Sequence, residues 1–115
     1  MNNRDINILN KIISYCDEIK EAQQRFGNNL DALQSDSLYR NAVAMSILQI
    51  GELTTHLTDK FKEDNNSMPW QDIKGMRNIA AHHYGKFDTD KLWETISGDI
   101  PELQKYCEQL LNEQI

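Results

Sequence analysis

The sequence predicts an all-α protein, an antiparallel bundle of four to five helices. Three observations carry that expectation. Apolar residues recur at three- and four-residue intervals through most of the chain, no segment sustains the period-two alternation of a half-buried strand, and neither a repeat nor a low-complexity linker divides it. At 115 residues the chain supports one core but not two, so 1–115 is read as a single domain.

The first helix is expected from about Asn3 to Phe26, where Ile6, Leu9, Ile12, Ile13, Cys16, Ile19 and Phe26 form one wide stripe. Gly27-Asn28-Asn29 ends it, because both residue types tolerate the left-handed backbone that closes helices. Leu30 to Asp36 is a short connection with room for one helical turn. A second long helix, capped by Asp36 or Ser37, is expected to run towards Lys62. Val43, Ile47, Ile50, Leu57 and Phe61 make one stripe along it, and Leu38, Met45 and Leu48 make an adjacent one. A face that wide needs more than one neighbour. Glu52 continues the second stripe directly after Gly51; it either reaches water at the stripe's edge or pairs with Arg77 and orients it. His56, one turn on, reads as an ordinary surface or half-buried histidine.

After a polar loop at 63–67, Pro69 opens a third helix, with Gln71 and Asp72 in its first turn and Trp70, Ile73, Met76 and Ala80 on its core face. Gly75 inside this helix lowers its stability and points to close approach of another backbone, with a tolerated surface glycine as the alternative. Beyond Gly85, Asp88 is placed to cap a helix carrying Leu92, Trp93 and Ile96. Gly98-Asp99-Ile100-Pro101 breaks or kinks it, and Leu103, Tyr106, Cys107, Leu110 and Leu111 stripe the last helix.

Hydrophobic residues at 39% and charged residues at 26% fit a polar-surfaced globule. No apolar run reaches the length of a membrane span, and Met1-Asn2-Asn3-Arg4-Asp5 lacks the apolar segment of a signal peptide, so a cytoplasmic location is expected. Cys16 and Cys107 lie on apolar stripes and read as buried free thiols, with a disulfide as the alternative if the terminal helices are neighbours. A net charge of −6 argues against indiscriminate nucleic-acid binding. Any RNA contact must be local, with Arg40, Lys74, Arg77, Lys86, Lys91 and two histidines available for a positive patch. The acidic remainder suits a basic partner. There is no glycine-rich phosphate loop and no zinc spacing, Asp88-Thr89-Asp90 lacks the Gly and final Glu of a calcium loop, and adjacent His82 and His83 diverge too far to make a metal pair.

Chemistry concentrates in Arg77-Asn78-Ile79-Ala80-Ala81-His82-His83-Tyr84, followed by Gly85. An arginine fork can hold two phosphate oxygens, a histidine can take and return a proton near neutral pH, and a phenol can donate or accept. Residues five apart on a helix stand about 140° apart around the axis, so Arg77 and His82 do not share a face. Either the helix ends near Ala81 and His82 swings round, or the two residues act across a subunit interface. By spacing alone, a helix C-terminal cap complementing the dipole is the favoured reading of the cluster.

The pattern Arg-x4-His-x-Tyr, here Arg77, His82 and Tyr84 with Asn78 after the arginine, resembles the HepT toxins of the HEPN superfamily. The resemblance extends to Pro69-Trp70 through Gly75-Met76-Arg77-Asn78, to Gln49-Ile50-Gly51-Glu52, and to Gly98-Asp99-Ile100-Pro101-Glu102-Leu103, and so covers most of the chain. It implies a HEPN-like bundle that forms a homodimer, with the motifs of two subunits at one cleft, and metal-independent cleavage of RNA by attack of the ribose 2′-hydroxyl, without a cofactor. His82 is then the base or acid, Arg77 binds the phosphate, and Asn78 positions a phosphate oxygen or the backbone around the cleft; His83 falls at a variable place in the pattern and receives no role. The resemblance further implies a type VII toxin–antitoxin system, in which a minimal nucleotidyltransferase antitoxin of the MntA kind transfers AMP to the tyrosine matched by Tyr84. Transfer RNA is the candidate substrate from family behaviour, and no base-reading element is visible. Two other readings stand beside the nuclease. The acidic balance favours a non-catalytic helical partner that positions substrate or nucleotide for a nucleotidyltransferase, and a plain helical dimerisation protein would explain the stripes alone.

Overall fold

The computed structural model describes residues 1–82 and 89–114, without the side chains at positions 79, 81 and 82. Among the described residues the structure is helical and holds no strand. Helix α1 spans Asn3–Phe26, α2 Leu30–Ser35, α3 Ser37–Thr54, α4 Asp59–Asp64, α5 Trp70–His82, α6 Thr89–Glu94 and α7 Ile100–Asn112, with a π-helical turn at Thr95–Asp99 between the last two. The four long helices α1, α3, α5 and α7 form the bundle; the short ones are its corners.

Several helices start where a side chain satisfies the free N–H groups of the first turn. Asn2 accepts from the Asp5 N–H, Asn29 from Ala32, Asp36 from Leu38 and Thr58 from Phe61. Gly27 closes α1 at φ 118°, where a side chain would strain the backbone, and its N–H donates to the Gln23 carbonyl. Asp88, expected to cap α6, lies outside the described residues, as do His83, Tyr84 and Lys86.

Contacts along α1 establish its direction relative to its neighbours. Asp5 at its start meets Thr58 beyond the end of α3, while Phe26 at its end stacks on Tyr39 in the first turn of α3, ring centroids 5.2 Å apart. Gln23 donates to the Ile96 carbonyl and Gln104 donates to Asp17. The helix is thus antiparallel to both α3 and α7. Leu9, Ile12, Cys16 and Ile19 of α1 join Val43, Ile47 and Ile50 of α3, Ile73 and Met76 of α5, and Leu103 and Cys107 of α7 in one buried core. The two cysteines are free and buried, and burial pushes both thiols up to about 12, so they persist as protonated core residues.

Two expected boundaries are corrected. The second long helix does not reach Lys62: α3 stops at Thr54, and Leu57 and Phe61 are buried from a turn and from α4 instead. The Thr54 and Thr55 hydroxyls bond back to the Gly51 and Glu52 carbonyls, at 2.7 Å each, and so satisfy acceptors that a continuing helix would have used. Thr58 then starts α4 with its N–H and hydroxyl both held by buried Asp5, at 2.9 and 2.7 Å. At the other end of the chain, of the break or kink expected at Gly98-Asp99-Ile100-Pro101, the break does not occur. A π-helical turn takes up the irregularity, and the Ile96 carbonyl, five residues before Pro101, accepts from Gln23 in place of the N–H that the proline lacks.

The adjacent stripe of α3 is not enclosed within the protomer. Leu48 is half-buried, but Leu38 is 67% and Met45 57% exposed.

Candidate active site at the contact of α3 and α5

Helices α3 and α5 approach closely at Gly51. A Cβ on Gly51 would overlap Arg77 Cγ and stand 3.2 Å from Arg77 Cδ and 3.4 Å from the Lys74 carbonyl. Glycine is required here by space and not by backbone angle. The space a side chain would fill forms a lane in which the aliphatic stem of Arg77 crosses the backbone of α3, and Glu52, the next residue, receives the end of that stem: Arg77 Nη1 donates to Glu52 Oε1. The two alternatives for Glu52 therefore meet, since it lies at the stripe's edge, 47% exposed, and also pairs with Arg77. Water screens an ion pair so open, which makes it worth no more than about 1 kcal/mol of stability. Its effect is geometric. Arg77 is left 33% exposed with its head fixed in place, and its fork has more N–H donors than one carboxylate oxygen uses.

Of the two readings of Gly75, the described residues fit the tolerated surface glycine, and the close approach occurs at Gly51. A Cβ on Gly75 would have nothing within 4 Å. Gly51 carried a signal of its own, as a glycine inside an apolar helix directly before a charged residue.

Helix α5 includes position 82, so it does not end short of the histidine. Arg77 and His82 accordingly stand about 140° apart around one axis. Asn78 is exposed one turn before position 82 and shares its face. The His82 side chain, His83 and Tyr84 lie outside the described residues, so within one protomer the site shows Arg77 with Glu52 and, beside them, Asn78.

Of the expected basic patch, Lys86, His83 and the His82 side chain lie outside the described residues, and Arg40 and Lys91 are engaged elsewhere. Arg40 is taken up in closing α2, donating to the Leu33 and Gln34 carbonyls, and stands about 18 Å along α3 from Glu52. Lys91 lies 4.0 Å from Glu94. Lys74 remains exposed one turn before Arg77 and, among the described residues, makes no ion pair. His56 is exposed, as expected.

A separate groove of about 630 Å³ runs between α5 and α7, lined by Asp72, Ile73, Met76, Asp99, Glu102 and Tyr106 among others. Burial raises the Asp99 carboxyl above its ordinary value, Lys91 opposes that shift, and Glu102 and Glu94 add to it. Arg77 is not part of this groove. Among the described residues no group of three or more His, Cys, Asp or Glu side chains is arranged to hold a metal ion, and no helix is long and apolar enough to cross a membrane.

Comparison with known proteins fits this geometry. A family model described as "Ribonuclease HepT-like" matches residues 12–110. A protein of Caldanaerobacter subterraneus named "Putative RNase TTE0752" is 30% identical over 106 residues, covering 92% of this chain and 93% of its own. A "Probable ribonuclease HepT" of Thermococcus cleftensis is 33% identical over 69 residues, 60% of this chain and 63% of its own. A Methanocaldococcus jannaschii protein, "Putative RNase MJ1380", is 31% identical over 74 residues, 64% of this chain and 68% of its own. No solved structure matches the chain.

Proposed function

The chain belongs to the HepT-like ribonuclease family, and on that premise we propose that it is a metal-independent endoribonuclease toxin whose site is completed by a second copy of the chain. The observation that carries this reading is Arg77, seated in the lane over Gly51, tethered by Glu52 and still open to solvent. A fixed, partly exposed guanidinium suits a phosphodiester whose oxygens gain charge in the transition state.

In the proposed reaction the ribose 2′-oxygen attacks the adjacent phosphorus as His82 removes its proton. The bond to the 5′-oxygen of the next nucleotide breaks, that oxygen is protonated, and a 2′,3′-cyclic phosphate remains. Positioned acid–base groups contribute roughly 10² to 10⁴ in rate. Arg77 stabilises the phosphate oxygens, Asn78 positions one of them, and Glu52 orients Arg77. On an ideal helix, positions 77 and 82 stand about 140° apart, and in this reading a homodimer would bring the motifs of two protomers to one cleft. Exposed Leu38 and Met45 support this arrangement. At seven-residue intervals they fall in line with Glu52 along α3, so an apolar surface for a second copy leads directly to the Arg77 pair.

Regulation is proposed at Tyr84. Its phenol oxygen would attack the α-phosphorus of ATP in the active site of a minimal nucleotidyltransferase antitoxin, releasing pyrophosphate and leaving AMP on the tyrosine. The added phosphate competes with RNA for Arg77. Incubation with that enzyme and ATP is expected to add the mass of AMP to the wild type and not to Tyr84→Phe; equal masses would remove this step. Transfer RNA is the proposed target, and the cytoplasm the proposed location.

Induced expression of wild type, His82→Ala and Arg77→Ala, with total RNA run on a denaturing gel, tests the function. The wild type alone is expected to arrest growth and yield discrete fragments. Three folded, abundant and equally harmless proteins would favour the second reading, a non-catalytic partner of a nucleotidyltransferase, which the net charge of −6 favours.

A further inference from the structure

Gly75 sits in the middle of α5 and, among the described residues, no contact accounts for it. Glycine inside a helix lowers its stability, and here a Cβ would meet nothing within 4 Å. On this exposed face the missing side chain leaves room for a group from outside the protomer to lie against the helix. The surroundings indicate its chemistry. At 100° per residue, Gln71, Gly75, Asn78 and position 82 fall within about 60° of one another, with Lys74 at one margin. Gln71, Lys74, Gly75 and Asn78 are all exposed. The strip carries two amides and a lysine that makes no ion pair among the described residues, and it holds no carboxylate, although the chain has 18 acidic residues. Asp72 faces the separate groove, and Glu52 is committed to Arg77.

We propose that the Gln71–Lys74–Gly75–Asn78 strip of α5 is the track for the RNA sugar–phosphate backbone flanking the cleaved bond. Gly75 lets the strand lie against the helix, Lys74 pairs with a phosphate, and Gln71 and Asn78 bond to phosphate or ribose oxygens. From Gln71 to position 82 the strip extends about 16 Å, so it delivers the strand to the proposed catalytic histidine. Readout of this kind is indifferent to base identity. The acidic surface elsewhere confines the polyanion to the strip. The second copy is assigned to the apolar stripe of α3, which leaves the polar face of α5 to RNA. This inference rests on the ribonuclease reading, and its test is separable from it.

The probe is a fluorescent, fully 2′-O-methylated single-stranded RNA of mixed sequence, which lacks the attacking hydroxyl and reports binding without cleavage. Full-length wild type, Gly75→Leu, Gly75→Ala and Lys74→Ala are titrated by anisotropy over a range of salt, with sedimentation and thermal unfolding alongside. Gly75→Leu is expected to weaken binding tenfold or more without changing oligomeric state. Gly75→Ala should raise the melting temperature yet bind more weakly, a combination that a merely structural glycine does not produce. Lys74→Ala should weaken binding several-fold and reduce the salt slope by about one. On unmodified RNA the losses should appear in KM. Wild-type affinity in folded Gly75→Leu, or no binding by the wild type, overturns the track; dissociation of a dimer by Gly75→Leu would make the strip a protein interface instead. A wild type that cleaves RNA with unaltered variants keeps the ribonuclease reading and loses the track. A wild type that binds through the strip and never cleaves does the reverse.

Discussion

Arg77 is oriented by two adjacent residues of another helix, one that contributes space and one that contributes charge. Both are open to test. Glu52→Gln retains the shape and loses the charge, and is expected to lower RNA cleavage about 10-fold with an unchanged circular dichroism spectrum. Gly51→Ala places a methyl group against the Arg77 stem and is expected to lower cleavage about 10- to 100-fold, since small misplacements of a catalytic group are costly. Unchanged turnover in both variants would mean that Arg77 finds its position unaided. Tyr39 offers a control remote from the site. Its hydroxyl is buried with no hydrogen-bond partner, and burial alone pushes the phenol above its ordinary value. Tyr39→Phe should therefore raise stability, by about 1 kcal/mol in denaturant unfolding. A loss would reveal a partner for that hydroxyl. At this scale the sequence was legible where chemistry is carried by residue type, as in Arg77 and Glu52. It was less legible at Gly51, whose place directly before a charged residue was a signal without a partner, because a glycine's reason lies in what approaches it from elsewhere in the fold.

Among the elements, starts were more legible than stops. The cap at Asp36 and the closure at Gly27 depend on the residue itself and its immediate neighbours, and both stand as read. The break between α3 and α4 is held in part by Asp5, which lies 53 positions from Thr58 and holds its N–H and hydroxyl. Apolar spacing that continues through Leu57 and Phe61 conceals such a break. Asp5→Ala strips two bonds from the start of α4 and is expected to destabilise the fold by about 1–3 kcal/mol, measured by chemical denaturation. The pairing of α1 with α7 has its own signature in pH. Cys16 and Cys107 hold their protons in the fold to about 12, whereas the unfolded chain releases them from about 9. The folded state then binds more protons in that window, so stability falls with rising pH. The contribution is whole below about pH 9 and is lost towards pH 12. Replacing both cysteines by Ala should flatten that part of the melting-temperature profile, although the smaller side chains lower its level.

For the whole molecule, the all-α bundle was legible because three- and four-residue spacing is a property of the chain alone. The apolar stripe at Leu38, Met45 and Leu48 was equally visible, but its neighbour was not. Two of its three residues face outward in one protomer, which is the state expected of a surface that a second copy covers. Met45→Glu is expected to yield a folded monomer in sedimentation and to lose cleavage with the dimer; an active monomer would place both halves of the motif in one chain.

The most direct test of a metal-independent ribonuclease is cleavage of RNA by the purified protein in excess EDTA, with His82→Ala alongside and the new ends identified by mass spectrometry. The account predicts fragments ending in a 2′,3′-cyclic phosphate from the wild type and none from His82→Ala. Intact RNA, equal cleavage by both proteins, or fragments bearing 5′-phosphates would contradict it.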